Sequence, residues 1–229
     1  MEGVDSTTIQ SAGTMIDLLY RFKAGGFWMY PIAMTFVLSI VFTIERFYRL
    51  FLDYYVDGKS FMFKIQNHIL GNDLDGAIRT CNGAPNAALP KVVKAGLQRA
   101  SKTETQIQNA VDGAALEMIP KLERRLPYLA TIANIATLMG LLGTIWGLMD
   151  SFAAIGQADA AQRQELISKG ISEAMNCTAF GLFTAIFTMI VHSMLSNKAT
   201  RILEDIDEFG VKLVDLLSER KGKHTSETV

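Results

Sequence analysis

The sequence predicts an all-α membrane protein with three transmembrane helices and long cytoplasmic helical extensions. Three observations carry that prediction. The chain is 49% hydrophobic with a mean hydropathy of +0.21, yet 20% of its 229 residues are charged. The two populations are segregated: charge-free runs cover 21 residues from Ala24 to Ile44, 24 from Leu126 to Met149 and 24 from Ala174 to Asn197. A helix crosses the hydrocarbon core with about 20 apolar residues, so each run is long enough. Elsewhere the apolar spacing is helical, and no segment alternates as a half-buried strand does.

In chain order, residues 1–25 are polar to amphipathic and precede the membrane on its periplasmic side. Ile16, Leu18, Leu19 and Phe22 suit a short interfacial helix before the Gly25–Gly26 break. The first span is expected over 26–45. Trp28 and Tyr30 lie at its start, at headgroup level, and Pro31 falls near its first turn, where a missing N–H costs little. Glu45 and Arg46 end it. Residues 46–125 are charged and helical, with breaks at Gly71–Asn72 and Gly83–Ala84–Pro85. Thr103 with Gln106 has the spacing of a capping box opening a long helix, which Pro120 either kinks or ends.

The second span is expected over 126–154 and is unusually rich in small residues. Ala136, Gly140 and Thr144 recur every fourth position, as do Gly143, Gly147 and Ser151. Such spacing lets helix backbones approach closely in lipid, which marks Gly140, Gly143, Gly147 and, on the third span, Gly181 as packing positions. A polar connection over 155–170 leads to the third span at 171–197. The tail, 198–229, has Ile202, Ile206, Phe209, Leu213, Leu216 and Leu217 at helical spacing and reads as an amphipathic helix.

Charge gives the orientation. The long loop carries 12 Lys and Arg and the tail 6, against two each in the N-terminal segment and the short connection. The positive-inside rule places loop and tail in the cytoplasm and the N-terminus in the periplasm. The net charge of −1 offers no argument for nucleic acid. Cys81 and Cys177 lie in segments of opposite character, no metal spacing is present, and no basic-then-apolar leader opens the chain. An enzyme is not expected, because no nucleophile–base or metal constellation is present.

The spans carry few polar residues. Counting inward from Asp150 and Glu173, Thr144 and Thr178 each lie roughly 8–9 Å below a carboxylate, on one level. Thr178, Gly181, Ala185, Thr188 and His192 share a helical face, and Asn176 adds an amide that wants a partner in lipid. The alternative is ordinary: a threonine in a membrane helix bonds its own preceding turn, and Asp150, Glu173 and His192 are wetted at the interfaces. No carboxylate lies in mid-membrane, where ion pathways usually have one. If ions cross, the titrating group belongs to another polypeptide.

These same residues resemble the ExbB/TolQ/MotA family of proton-channel stator proteins, in its three-span ExbB/TolQ branch. AGGFWMYPI followed by IERFYRL resembles the start and end of that family's first span; LERRLPYLATIA with GLLGTIWGLMDSF resembles its second; GISEAMNCTAFGLFTAI resembles its third. The resemblance implies a homopentamer in the bacterial inner membrane around the helices of a smaller ExbD/TolR-like protein, whose aspartate carries H+ or Na+. No cofactor is implied beyond the transported ion. A TonB- or TolA-like or gliding effector would receive the force. Thr144 and Thr178 match the family's pore threonines, Glu173 matches its acidic residue of the third span, and Asp150 stands at the outer mouth where Asn or His is common. Asn176, Thr188 and His192 are further candidates for polar lining. Thr137 and Phe187 stand where many members have proline, and His192–Ser193 replaces Tyr-Asn. The competing reading is a non-conducting oligomeric scaffold that recruits cytoplasmic partners. A solute transporter finds no inverted repeat to support it.

Overall fold

The computed structural model describes residues 25–156 and 159–227, without the side chains of 160–161 and 221–227. The interfacial helix expected around Ile16–Phe22 lies outside the described residues. Every regular element among the described residues is helical. In order they are α1 (Met29–Tyr48), a π-helical turn (Arg49–Asp53), α2 (Gly58–Leu70), α3 (Leu74–Asn82), α4 (Ala88–Leu97), α5 (Glu104–Glu123), α6 (Leu126–Ile155) and α7 (Ala160–Glu227). Three stretches are long and apolar enough to cross a membrane, within Met29–Leu70, Glu104–Ile155 and Gln162–Arg220. The connection expected over 155–170 is largely helical, because α7 already begins at Ala160. AAQRQELISK contains good helix formers and no glycine before Gly170.

The contacts divide the chain into two units, Met1–Thr43 with Tyr128–His192 and Ile44–Pro127 with Ser193–Val229. In the first, α6 buries a single narrow stripe: Leu129, Ala133, Ala136, Gly140, Gly143, Gly147 and Ser151. Each step is three or four residues, so the stripe follows one side of the helix. It faces Gly170, Ala174, Cys177 and Gly181 of α7, running antiparallel. Helix α1 meets another side of α7 at Ser39, which shares a buried face of α1 with Ile32 and Thr35. There the Phe36 ring lies about 6 Å from those of Phe180, Phe183 and Phe187. Pro31 is the third residue of α1, among the N–H groups that have no partner within a helix, and so is tolerated.

The second unit is a helical cluster in which α2 packs on α3, α3 on α4 and α4 on α5. Asp73 caps α3 by accepting the Gly76 N–H at 2.8 Å, and Asn72 takes the left-handed turn before it, at φ 57°. Gly96 lets α4 approach Val111 and Leu213, whose methyls lie 2.9 and 2.7 Å from where a Cβ would stand. The tail segment of α7 buries Ile202, Ile206, Phe209, Leu213 and Leu217 of the helical stripe that its sequence predicts, and extends it back through Ala199 and Leu195. Leu216 lies at its edge, half-buried.

Two expectations change in this unit. Thr103 is the N-cap of α5 but its side chain makes no capping bond, so no capping box forms. The Gln106 N–H is held by the Thr103 carbonyl instead, at 2.9 Å. Pro120 neither ends nor breaks α5, which continues to Glu123; the break comes at Arg124–Arg125, where Arg125 has φ 67°. The last carbonyls of α5 are capped from α1. The Arg46 guanidinium, only 1% exposed, donates to the carbonyls of Leu122 and, at 3.4 Å, Lys121. A cation at a helix C-terminus also opposes the negative end of the macrodipole. Glu45 pairs with Arg125 and, at 3.5 Å, with Arg49. Just beyond, Lys198 lies over the Tyr55 ring at 3.3 Å and near that of Phe51 at 5.3 Å.

Candidate functional site: the seam between α6 and α7

A seam of this kind is built by removing side chains. A Cβ on Gly181 would stand 2.8 Å from both the Ala136 carbonyl oxygen and the Gly140 Cα, and one on Gly140 would stand 3.3 Å from the Gly181 Cα. Gly143 faces Cys177 and Gly147 faces Ala174, while the Ser151 hydroxyl fills the space over Gly170. All four glycines picked as packing positions are buried, and together they set the register of the two helices.

That register places Thr144 and Thr178 within roughly 2–3 Å of one another along the helix axis. Their hydroxyls do different things. Thr144, half-buried, donates back to the Leu141 carbonyl at 2.6 Å, the ordinary behaviour of a threonine within a helix. Thr178 instead donates across the seam to the Gly140 carbonyl at 3.2 Å. Because that oxygen belongs to a residue without a side chain, the bond forms where the backbones are closest. The seam therefore presents one hydroxyl committed between helices and a second committed locally, with lone pairs left on both oxygens. Such oxygens can solvate a cation or relay a proton, but neither can carry a net charge at neutral pH.

The acidic candidates separate. Asp150 is exposed near the end of α6. Glu173 is half-buried, and its carboxylate lies directly against Gly26. Gly26 has φ 65°, so both its backbone conformation and the carboxylate above it exclude a side chain. One turn further along α7 the Cys177 thiol donates to the Gly25 carbonyl at 2.9 Å. The Gly25–Gly26 break is thus a docking piece for α7, a role that its sequence shows only as a turn. Trp28 continues this contact, with its Cβ 3.3 Å from the position of a Gly143 Cβ and its ring 5.8 Å from that of Trp146.

The remaining polar candidates fall elsewhere. Asn176 and His192 are half-buried. Thr188 is fully buried and turned toward α1, where its hydroxyl meets Ser39 at 2.7 Å; it also bonds the Thr184 carbonyl at 2.7 Å. Thr35, Ser39 and Thr184 are buried polar residues that the sequence reading did not single out. The signal was present, since Ile32, Thr35, Ser39 and Arg46 share one helical face of α1.

Comparison with known proteins places this arrangement. Residues 84–208 match the MotA/TolQ/ExbB proton channel family. The chain is similar to the Tol-Pal system protein TolQ of Haemophilus influenzae, 42% identical over 95 residues, which are 40% of this chain and 41% of that protein. It is 28% identical to TolQ of Pseudomonas aeruginosa over 157 residues, 64% of this chain and 67% of that one. With the biopolymer transport protein ExbB of Salmonella typhimurium it shares 38% over 71 residues, 31% of this chain and 29% of the relative. The chain thus spans less than half the length of the Haemophilus and Salmonella proteins. The family match takes in more than half of the chain, including all of α6 and the α7 residues that face it, and three apolar helices complete a multi-pass membrane protein. On that evidence the chain belongs to the MotA/TolQ/ExbB proton channel family.

Proposed function

We propose that this chain is the ion-conducting stator subunit of an energy-transducing motor in the bacterial inner membrane, with its N-terminus periplasmic and its C-terminus cytoplasmic. Several copies, five by the resemblance, surround the single-span helices of an ExbD/TolR-like partner. Protons, or sodium ions, pass at the level of Thr144 and Thr178. The partner transmits force to a TonB- or TolA-like or gliding effector.

The observation that carries this reading is a pairing of presence and absence. The α6–α7 seam offers hydroxyl and carbonyl oxygens at one level, while no Asp or Glu occurs between Arg125 and Asp150 or between Glu173 and Lys198. A charged intermediate in lipid needs a titrating group, and here the chain can only solvate one that a partner brings. Glu173, held over Gly26, is placed to attract cations toward that level. Chemically the step is a proton exchange between the partner's carboxylate and water, with the threonine oxygens accepting or donating hydrogen bonds on either side of it.

The test is proton uptake by vesicles containing the complex purified from native membranes, with the carboxylate in the co-purifying single-span protein intact or neutralised. Loss of uptake on neutralisation supports the reading. Unchanged uptake, or an assembly that never conducts, favours the scaffold.

A further inference from the structure

Among the described residues, hydroxyl bonds tie helix α7 to each of its two neighbours in the first unit. Thr178 donates to the Gly140 carbonyl of α6. Thr188 meets Ser39 of α1 at 2.7 Å. Other membrane hydroxyls close on their own helices: Thr35 on Ile32, Thr137 on Ala133, Thr144 on Leu141, Thr184 on Phe180 and Ser151 on Gly147. Thr188 gives its single proton to the Thr184 carbonyl, so Ser39 is the donor across the α1–α7 contact. Ser39 is 0% exposed, so bulk solvent does not reach its hydroxyl.

The need for such a bond follows from the seam itself. Ala133, Ala136 and Ala185 form its apolar cluster, and Gly140 meets Gly181 backbone to backbone. Such a surface is smooth. It permits close approach, and a hydrogen bond adds to it a directional constraint that apolar contact lacks. The two hydroxyl ties stand ten residues apart on α7, about 80° round the helix and roughly 15 Å along it. With the Cys177–Gly25 bond and the Phe36 ring contacts they define which way α7 faces, and so on which side Thr178 is presented.

We propose that Ser39 is a positioning residue for the ion pathway: its hydroxyl, donated to Thr188, sets the rotation of α7 and holds Thr178 against α6. The proposal rests on the ion pathway running past Thr178. Phe187 supports the same contact, with its ring 5.8 Å from Phe36 of α1.

The experiment compares Ser39→Ala, the exchange Ser39→Thr with Thr188→Ser, and Thr178→Val, each purified as the native complex and reconstituted with a pH-sensitive dye inside. Ser39→Ala should assemble in normal amount yet lower proton uptake at least fivefold, and the exchange should return it to within twofold. In a Cys81→Ala, Cys177→Ala background, a cysteine introduced by Thr178→Cys should change its labelling rate with a water-soluble maleimide when Ser39 becomes alanine. Uptake within twofold for Ser39→Ala, while Thr178→Val abolishes it, overturns the positioning role and leaves the pathway standing. Unchanged uptake for Thr178→Val removes the pathway and this inference with it. Loss of assembly in Ser39→Ala makes the contact structural and also overturns the proposal.

Discussion

Replacing Gly181 by alanine puts a methyl group in place of a hydrogen where α6 and α7 are closest. The new Cβ stands 2.8 Å from the Gly140 Cα and 2.8 Å from the Ala136 carbonyl oxygen, both backbone atoms that cannot rotate away. Ordinary carbon contacts begin at about 3.5–4 Å, so the helices must separate by roughly 1 Å. Overpacking of that kind costs about 1–3 kcal/mol. The same movement stretches the 3.2 Å bond from Thr178 to the Gly140 carbonyl beyond hydrogen-bond range, at a further cost of about 1 kcal/mol. The control is Gly113→Ala on α5, where nothing lies within 4 Å of the new Cβ. There the helix gains about 0.5–1 kcal/mol. The assay is thermal denaturation of the detergent-purified protein, read as the protein remaining in solution after heating. Gly181→Ala should melt well below the native protein and Gly113→Ala slightly above it. Equal melting of the two variants refutes the close-packed seam.

Three further outcomes follow from the second unit. Arg125 combines a left-handed backbone with an ion pair to Glu45, so Arg125→Gly should unfold at higher denaturant than Arg125→Ala, by about 1–2 kcal/mol, because both lose the pair and only glycine relieves the strain. The Gly76 N–H holds the Asp73 carboxyl below the usual carboxylate range, with Arg79 and His68 assisting. A depressed folded pKa stabilises above the unfolded value and is lost as pH falls through the folded one; Asp73→Asn should therefore flatten the acid limb of a stability–pH curve below about pH 4. Burial pushes the Cys81 thiol up to about 11, so native Cys81 should resist iodoacetamide at pH 8 and react on unfolding.

Much of this fold is legible because lipid imposes it. Charge-free length alone marks the three spans, and the small residues of α6 mark its packing face. The helical spacing from Ile202 to Leu217 marks the buried side of the tail. Features set by single contacts are harder to read. The sequence splits the small residues of α6 into two stripes, one ending in Thr144; the antiparallel partner selects instead the 136–140–143–147–151 line and leaves Thr144 at its margin. Thr103 has capping-box spacing but no bond, since backbone geometry decides whether the side chain turns inward. Arg46 looks like a juxtamembrane charge, and only the seven-residue step from Ser39 hints that it points inward. Thr188 shares a predicted face with Thr178, but 80° of rotation is enough to give it to α1 instead of α6.

The central claim is that ions pass the Thr178 level. It is tested most directly by proton uptake through the reconstituted native complex carrying Thr178→Val, which keeps the shape and removes the hydroxyl, beside Thr178→Ser, which keeps the hydroxyl. The account predicts a loss of at least tenfold for valine and near-native uptake for serine. Native uptake through the valine variant, in a complex of unchanged composition, contradicts it.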